Sequence, residues 1–226
     1  MNRRYSVRFL VIALALSAFV GAAVAGGWAV ITLKDFPDYA VAGKSLDLTF
    51  SVRQHGQTLL AGLQPTVRAV TANGGVAKAR VAATANRGEY SAALVLPEPG
   101  EWTVTITSGF NDSAVTLPAL KVFAAGSPSP EPFSVATRGV RLFTAKGCVG
   151  CHRHLEVDPG FKTDARFDLT GKRFPADYLK KFLADPSIKP ADMPNLQLKD
   201  GEIEALAAFI DKSAMKKTRE GEVHAK

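Results

Sequence analysis

Cysteine is nearly absent, with two in 226 residues, at positions 148 and 151. A pair this sparse and this closely spaced excludes a disulfide-stapled secreted fold. Methionine (three) and histidine (four) are also scarce, so any metal or cofactor chemistry must draw on a handful of positions. Charge of one sign is not concentrated either. Against 21 Asp and Glu stand 28 Lys and Arg, a net +7, and without Arg3, Arg4 and Arg8 the excess falls to +4. Spread along the chain, that is a weak footprint for nucleic acid. What is present is 46% hydrophobic and 22% charged residues, which excludes both a disordered chain and a polytopic membrane protein. The length suits two domains of about 80–110 residues.

The N-terminus sets the compartment. Arg3, Arg4 and Arg8 precede an apolar run from Phe9 to Val20, and Ala23-Val24-Ala25 offers small residues at a cleavage site. That is the layout of a signal peptide over residues 1–25. The stretch Phe9–Leu33 carries no charge over 25 residues, long enough for an uncleaved membrane anchor instead. Glycines 21, 26 and 27 dilute the run, and Trp28–Leu33 reads better as a first strand. Either way the rest of the chain is expected outside the cytoplasm, periplasmic and either soluble or tethered to the outer face of the inner membrane.

From Trp28 to about Phe123 the apolar period is two. Leu46, Leu48, Phe50 and Val52 alternate with polar neighbours, as do Trp102, Val104 and Ile106, with a looser alternation at Tyr90, Ala92, Leu94 and Leu96. Half-buried antiparallel strands produce this pattern. Asn73-Gly74-Gly75, Asn86-Arg87-Gly88 and Pro97-Glu98-Pro99-Gly100 supply turns. About seven short strands are expected, forming a β-sandwich over residues 26–124. The stretch from Gly88 to Val104 resembles the immunoglobulin-like YtkA-type extracytoplasmic domains of bacteria.

A Pro/Ser-rich linker, residues 125–133, follows; its prolines oppose helix and favour an extended path. Beyond it the period becomes helical. Ser134 is placed to cap a helix reaching about Lys146, a second is expected at 175–184, and a third begins after Asp200-Gly201 with a stripe of Ile203, Leu206 and Ile210. Glu202, Glu204 and Asp211 are expected to stay wet. Three short helices bury too little to stand unaided, so a staple or cofactor is expected. The charged tail, 216–226, is expected to fray.

Both cysteines fall in Cys148-Val149-Gly150-Cys151-His152, the spacing of covalent c-type haem attachment. Two thiols three residues apart reach the two vinyl groups of one porphyrin, and the following imidazole coordinates iron. A zinc knuckle would need a second ligand pair, where only His154 is nearby. A thioredoxin-type dithiol would need a βαβ context. Met193, on a polar, proline-bearing loop 41 residues past His152, is the candidate distal ligand. His154 lies too close to His152 to reach the opposite face. With His55 and His224, it is read as a solvated surface histidine.

Gly139-Val-Arg-Leu-Phe143, the attachment motif, Met193-Pro194 and the helix from Glu202 to Ile210 resemble a class I cytochrome c over residues 134–215. The resemblance implies an all-α C-terminal domain, one haem c per chain bonded to Cys148 and Cys151, and iron held by His152 and Met193. It further implies crossed terminal helices meeting at Gly139, Phe143 and Phe209, and Pro159 receiving the proximal imidazole N–H. Arg166, Lys172 and Tyr178 are the available propionate donors. The function implied is single-electron transfer, free or within a redox complex, with no reaction of its own. A haem enzyme or gas sensor with an open distal site is the alternative. Partners are then a redox protein or membrane redox complex, docked by Arg138, Arg141, Lys146 and Arg153. The β-domain, with His55 as its lone imidazole, reads as a spacer or docking module rather than a copper site.

Overall fold

The computed structural model describes residues 26–128, 130–157, 167–175, 177–189 and 193–223. The expected signal peptide, Pro159, Arg166, Pro190 and His224 lie outside the described residues. No helix among the described residues is long and apolar enough to cross a membrane.

Eleven strands form the N-terminal part: β1 (Ala29–Leu33), β2 (Tyr39–Val41), β3 (Ser45–Gln54), β4 (Thr58–Leu59), β5 (Thr66–Thr71), β6 (Val76–Ala79), β7 (Val81–Ala83), β8 (Glu89–Val95), β9 (Gly100–Thr107), β10 (Ala114–Thr116) and β11 (Leu120–Phe123). One sheet runs β1-β3-β8-β7 with β4 on β3, and the other runs β2-β11-β9-β5-β6 with β10 on β9. All these pairs are antiparallel except β2 with β11. The extra strands over the seven expected are two- to four-residue edge pieces, too short to leave a periodic trace.

Register follows the alternation. Leu48 faces Ala92 and Phe50 faces Tyr90 in one sheet, while Val67 opposes Ile106 and Ala69 opposes Val104 in the other. These residues share one buried cluster between the sheets. A one-residue slip would turn each set to solvent, so burial fixes the pairing. The large polar-tipped side chains keep their hydrogen bonds on burial: Trp102 Nε1 donates to the Glu98 carbonyl at 3.0 Å and Tyr90 Oη donates to the Leu60 carbonyl at 2.8 Å.

The C-terminal part carries α1 (Val135–Ala145), α2 (Tyr178–Ala184) and α3 (Asp200–Val223). Ser134 caps α1 by accepting from the Thr137 amide at 3.2 Å. Helix α3 continues through Val223, into the stretch expected to fray. Helices α1 and α3 meet at Gly139, where a Cβ would lie 2.0 Å from the Ala205 carbonyl oxygen. Beside it the Phe143 and Phe209 rings pack edge to face at 5.6 Å. A glycine lets two helix backbones touch whatever the fold, so this crossing implies no cofactor.

The expectation of an all-α cytochrome domain is corrected here. Residues just after the second cysteine are extended, with β12 (His152–Arg153) pairing in parallel with β13 (Phe167–Asp168). His154 and Val157 form a further bridge. Nor is the helical part closed on itself, since Ala145 at the end of α1 belongs to the buried cluster of the sandwich. Strand outweighs helix across the described residues, and the architecture is a predominantly β, immunoglobulin-like sandwich with a short helical segment docked on it.

Candidate functional site

The segment from Gly147 to His152 carries the candidate chemistry, and the sandwich holds it in place. Gly147 adopts φ +77°, and a Cβ there would lie 2.5 Å from Val30 Cγ1 and 2.7 Å from the Ile31 carbonyl oxygen. Only glycine provides both the left-handed turn and that approach. A 3-10 turn over Cys148–Gly150 follows, its Gly150 backbone lying so close to β1 that a Cβ would come 2.7 Å from Val30 Cγ2.

The two thiols take different directions. Cys148 packs with the helical cluster of Leu142, Phe143, Leu206 and Phe209. Burial is the largest cause pushing its pKa up to about 12, which suppresses the reactive thiolate. Cys151 Sγ instead approaches the sandwich, 3.4 Å from where a Cβ on Gly56 would sit. Gly56 belongs to the turn carrying His55, which is exposed and edge-on to Trp28 at 5.8 Å.

His152 lies with its ring 5.9 Å from Phe167. Its Nδ1 is buried without a hydrogen bond, and burial lowers its pKa, opposed by a hydrogen bond the ring donates to the Phe167 backbone carbonyl. Met193 packs with the helical cluster. His154 is not on the surface: it is 2% exposed, its ring 4.2 Å from that of Phe209. Its Nδ1 accepts from the Glu156 amide at 3.2 Å, and burial lowers its pKa against the charges of Glu156 and Asp168. Tyr178 stacks between Phe174 and Phe182 at 6.0 and 5.9 Å.

The residues most involved in this geometry were expected to face solvent or an external partner. Lys146 Nζ, buried, pairs with Glu202 Oε1 at 2.7 Å and donates to the Lys34 carbonyl at 2.7 Å. One ammonium thereby ties α1, α3 and the end of β1. Glu202 is therefore buried rather than wet. Lys199 pairs with Asp35, Arg138 Nε lies 3.6 Å from Asp38 Oδ1, and Arg141 Nη1 donates to the Ala119 carbonyl at 2.8 Å. Three of the four basic residues expected to dock an external partner thus turn to acceptors on this same chain, leaving Arg153 exposed.

Haem attachment needs both thiols at one open porphyrin edge. Here Cys148 points into the helical cluster, Cys151 points toward Gly56 across the seam, and β1 lies directly against the intervening glycines. The residues as placed do not fit the group. Among the described residues, no three His, Cys, Asp or Glu gather where they would hold a metal ion.

No protein-family model matches the chain, and no curated protein matches it. Among solved structures, it is similar to the filamin domain of Lin-41, at 12% identity over 42% of this chain and 90% of that one, with a TM-score of 0.34. Domains 4 and 5 of the S-layer protein SbsC match at 15% identity over 42% of this chain and 51% of that one, TM-score 0.31. SbsC domains 1–6 match at 15% identity over 47% of this chain and 14% of that one, TM-score 0.32. This chain thus spans about half of the first SbsC fragment and a small part of the second. Likeness at this level carries no function across.

Six expectations are corrected together. Neither the YtkA-type nor the class I cytochrome c resemblance is borne out by a family match. On the placement of the two thiols, haem c as cofactor, iron binding and single-electron transfer are set aside, as is the alternative of a haem enzyme or gas sensor. Cys148, Cys151, His152 and Met193 remain candidate residues without the haem.

Proposed function

We propose that the chain is a non-enzymatic docking module acting outside the cytoplasm, in which the sandwich holds the cysteine-bearing segment in a fixed pose for a protein partner. The signal-like N-terminus supports the compartment, and retention of that segment would add a membrane tether. The observation that carries the reading is the seam. Gly147 and Gly150 are packed onto β1 at distances that admit no Cβ, and buried Lys146 fastens three elements at one point. Such a seam orients what it holds and leaves little room for a substrate.

Two large apolar side chains are presented beside His152, Leu155 at 74% and Phe167 at 60% exposure, among exposed Arg153, Glu156 and Asp168. Contiguous exposed apolar residues mark interaction surfaces more often than isolated ones do. A redox protein or membrane redox complex is the partner class favoured by the Cys148-Val149-Gly150-Cys151-His152 sequence. The dispersed positive charge gives no reason to expect nucleic acid.

The test uses the full chain secreted by a cell competent in cytochrome assembly. A photocrosslinking residue at Leu155 or Phe167 is expected to give a discrete adduct, and one at Lys78 on β6 none. Two thiols are expected to titrate after unfolding, with no visible absorption. A chromophore that survives denaturation with both thiols blocked would overturn the reading, as would equal adducts at all three positions.

A further inference from the structure

Arg141 is only 9% exposed, yet its guanidinium is half used. Nη1 donates to the Ala119 carbonyl, while Nε and Nη2 are buried with no acceptor. These two N–H groups form the side-on fork of the guanidinium, the edge that takes both oxygens of a carboxylate or phosphate in plane. The faces are closed by Phe36 and Phe133, whose ring centroids lie 4.9 and 4.8 Å from Cζ. The fork edge is itself buried, so access to it requires one of the two rings to move. Three residues earlier on the same helix face, Arg138 Nε is also buried without a hydrogen bond. Its 3.6 Å separation from Asp38 Oδ1 is beyond a hydrogen bond. Among the described residues, Asp38 is the carboxylate that acts on both guanidinium groups, one negative charge against two positive.

The two aromatic walls differ. Phe36 is buried in the sandwich, while Phe133 is 39% exposed and ends the proline-rich connector. We propose that the Arg141 fork, with Arg138 beside it, is a receptor for a small oxyanion with two coplanar oxygens, a carboxylate or a phosphate, which enters by displacing Phe133. A bound oxyanion would satisfy both orphan donors of Arg141 and neutralise the surplus charge. Because the fork lies where α1 meets the sandwich, occupancy would tighten the seam.

The experiment follows the Arg Nε–H resonances of the full chain by 15N NMR while inorganic phosphate or acetate replaces chloride at constant ionic strength. A saturable shift of the Arg141 Nε–H with either anion is expected, together with a rise in melting temperature. Saturation with phosphate alone or acetate alone identifies the source. Arg141→Lys keeps the charge but loses the fork, and should abolish saturation. Should that variant unfold, Arg138→Gln is expected to weaken binding without unfolding the sandwich. A linear shift with no saturation would overturn the proposal. So would a resonance that moves only on Asp38→Asn, which would mean that Asp38 already closes the fork.

Discussion

Lys146 ends a helix on a face where a lysine is ordinarily solvated, yet its ammonium is buried against Glu202 and the Lys34 carbonyl. Removing one member of such a pair strands the other charge in a poor solvent. Lys146→Met or Glu202→Gln is expected to destabilise the chain by about 3–5 kcal/mol, whereas replacing both with apolar residues should cost far less. Urea denaturation of the two single variants and the double variant measures the difference. The thiols give a second residue-scale prediction. With its pKa raised to about 12 by burial, Cys148 should resist alkylation at pH 8 and Cys151 should react first. Mass spectrometry of timed iodoacetamide reactions reads the order, and equal rates would contradict the placement of Cys148.

The elements show where periodicity informs and where it stops. Alternation located β3, β8 and β9, whose inward residues are the ones found buried, because a strand with one wet face records its burial in the sequence. Trp102→Ala should therefore cost about 3–5 kcal/mol, seen as a lower melting temperature. Helix spacing located α1, α2 and α3 in the same way. Pairing of β12 with β13 left no such trace, since two residues define no period and their partners are far apart in sequence. The α1–α3 crossing was legible only as a small residue amid large ones. Gly139→Ala sets a methyl against the Ala205 carbonyl. It should destabilise by about 1–3 kcal/mol or more through overpacking, and should do so without altering the strands reported by circular dichroism.

Across the whole molecule, the seam joins a buried lock to an exposed, pH-sensitive rim. Asp35 has its pKa lowered first of all by the hydrogen bond from Lys199. A carboxylate held below its unfolded value of 3.8 contributes stability above that pH and loses it as pH falls through the folded value. The rim contribution should accordingly fade as pH drops below about 4 and shrink in high salt, and it is small because both side chains are largely exposed and screened by water. Trp28 sits beside Gly150 at the seam, so its fluorescence should report opening. Asp35→Asn should remove the Asp35 part of the acid dependence while leaving the Lys146 lock in place.

Taken alone, the sequence determined the inward face of the long strands, the apolar stripe of the last helix, and the short list of residues able to do chemistry. Composition and period are properties of neighbours along the chain, and local physics reads them directly. Tertiary structure alone decided that Cys148 and Cys151 face different surroundings, that His154 is buried, and that Arg138, Arg141 and Lys146 serve the seam. Each of these depends on which surface docks against which. Lys146 meets the carbonyl of a residue 112 positions away, a separation over which no sequence period carries information.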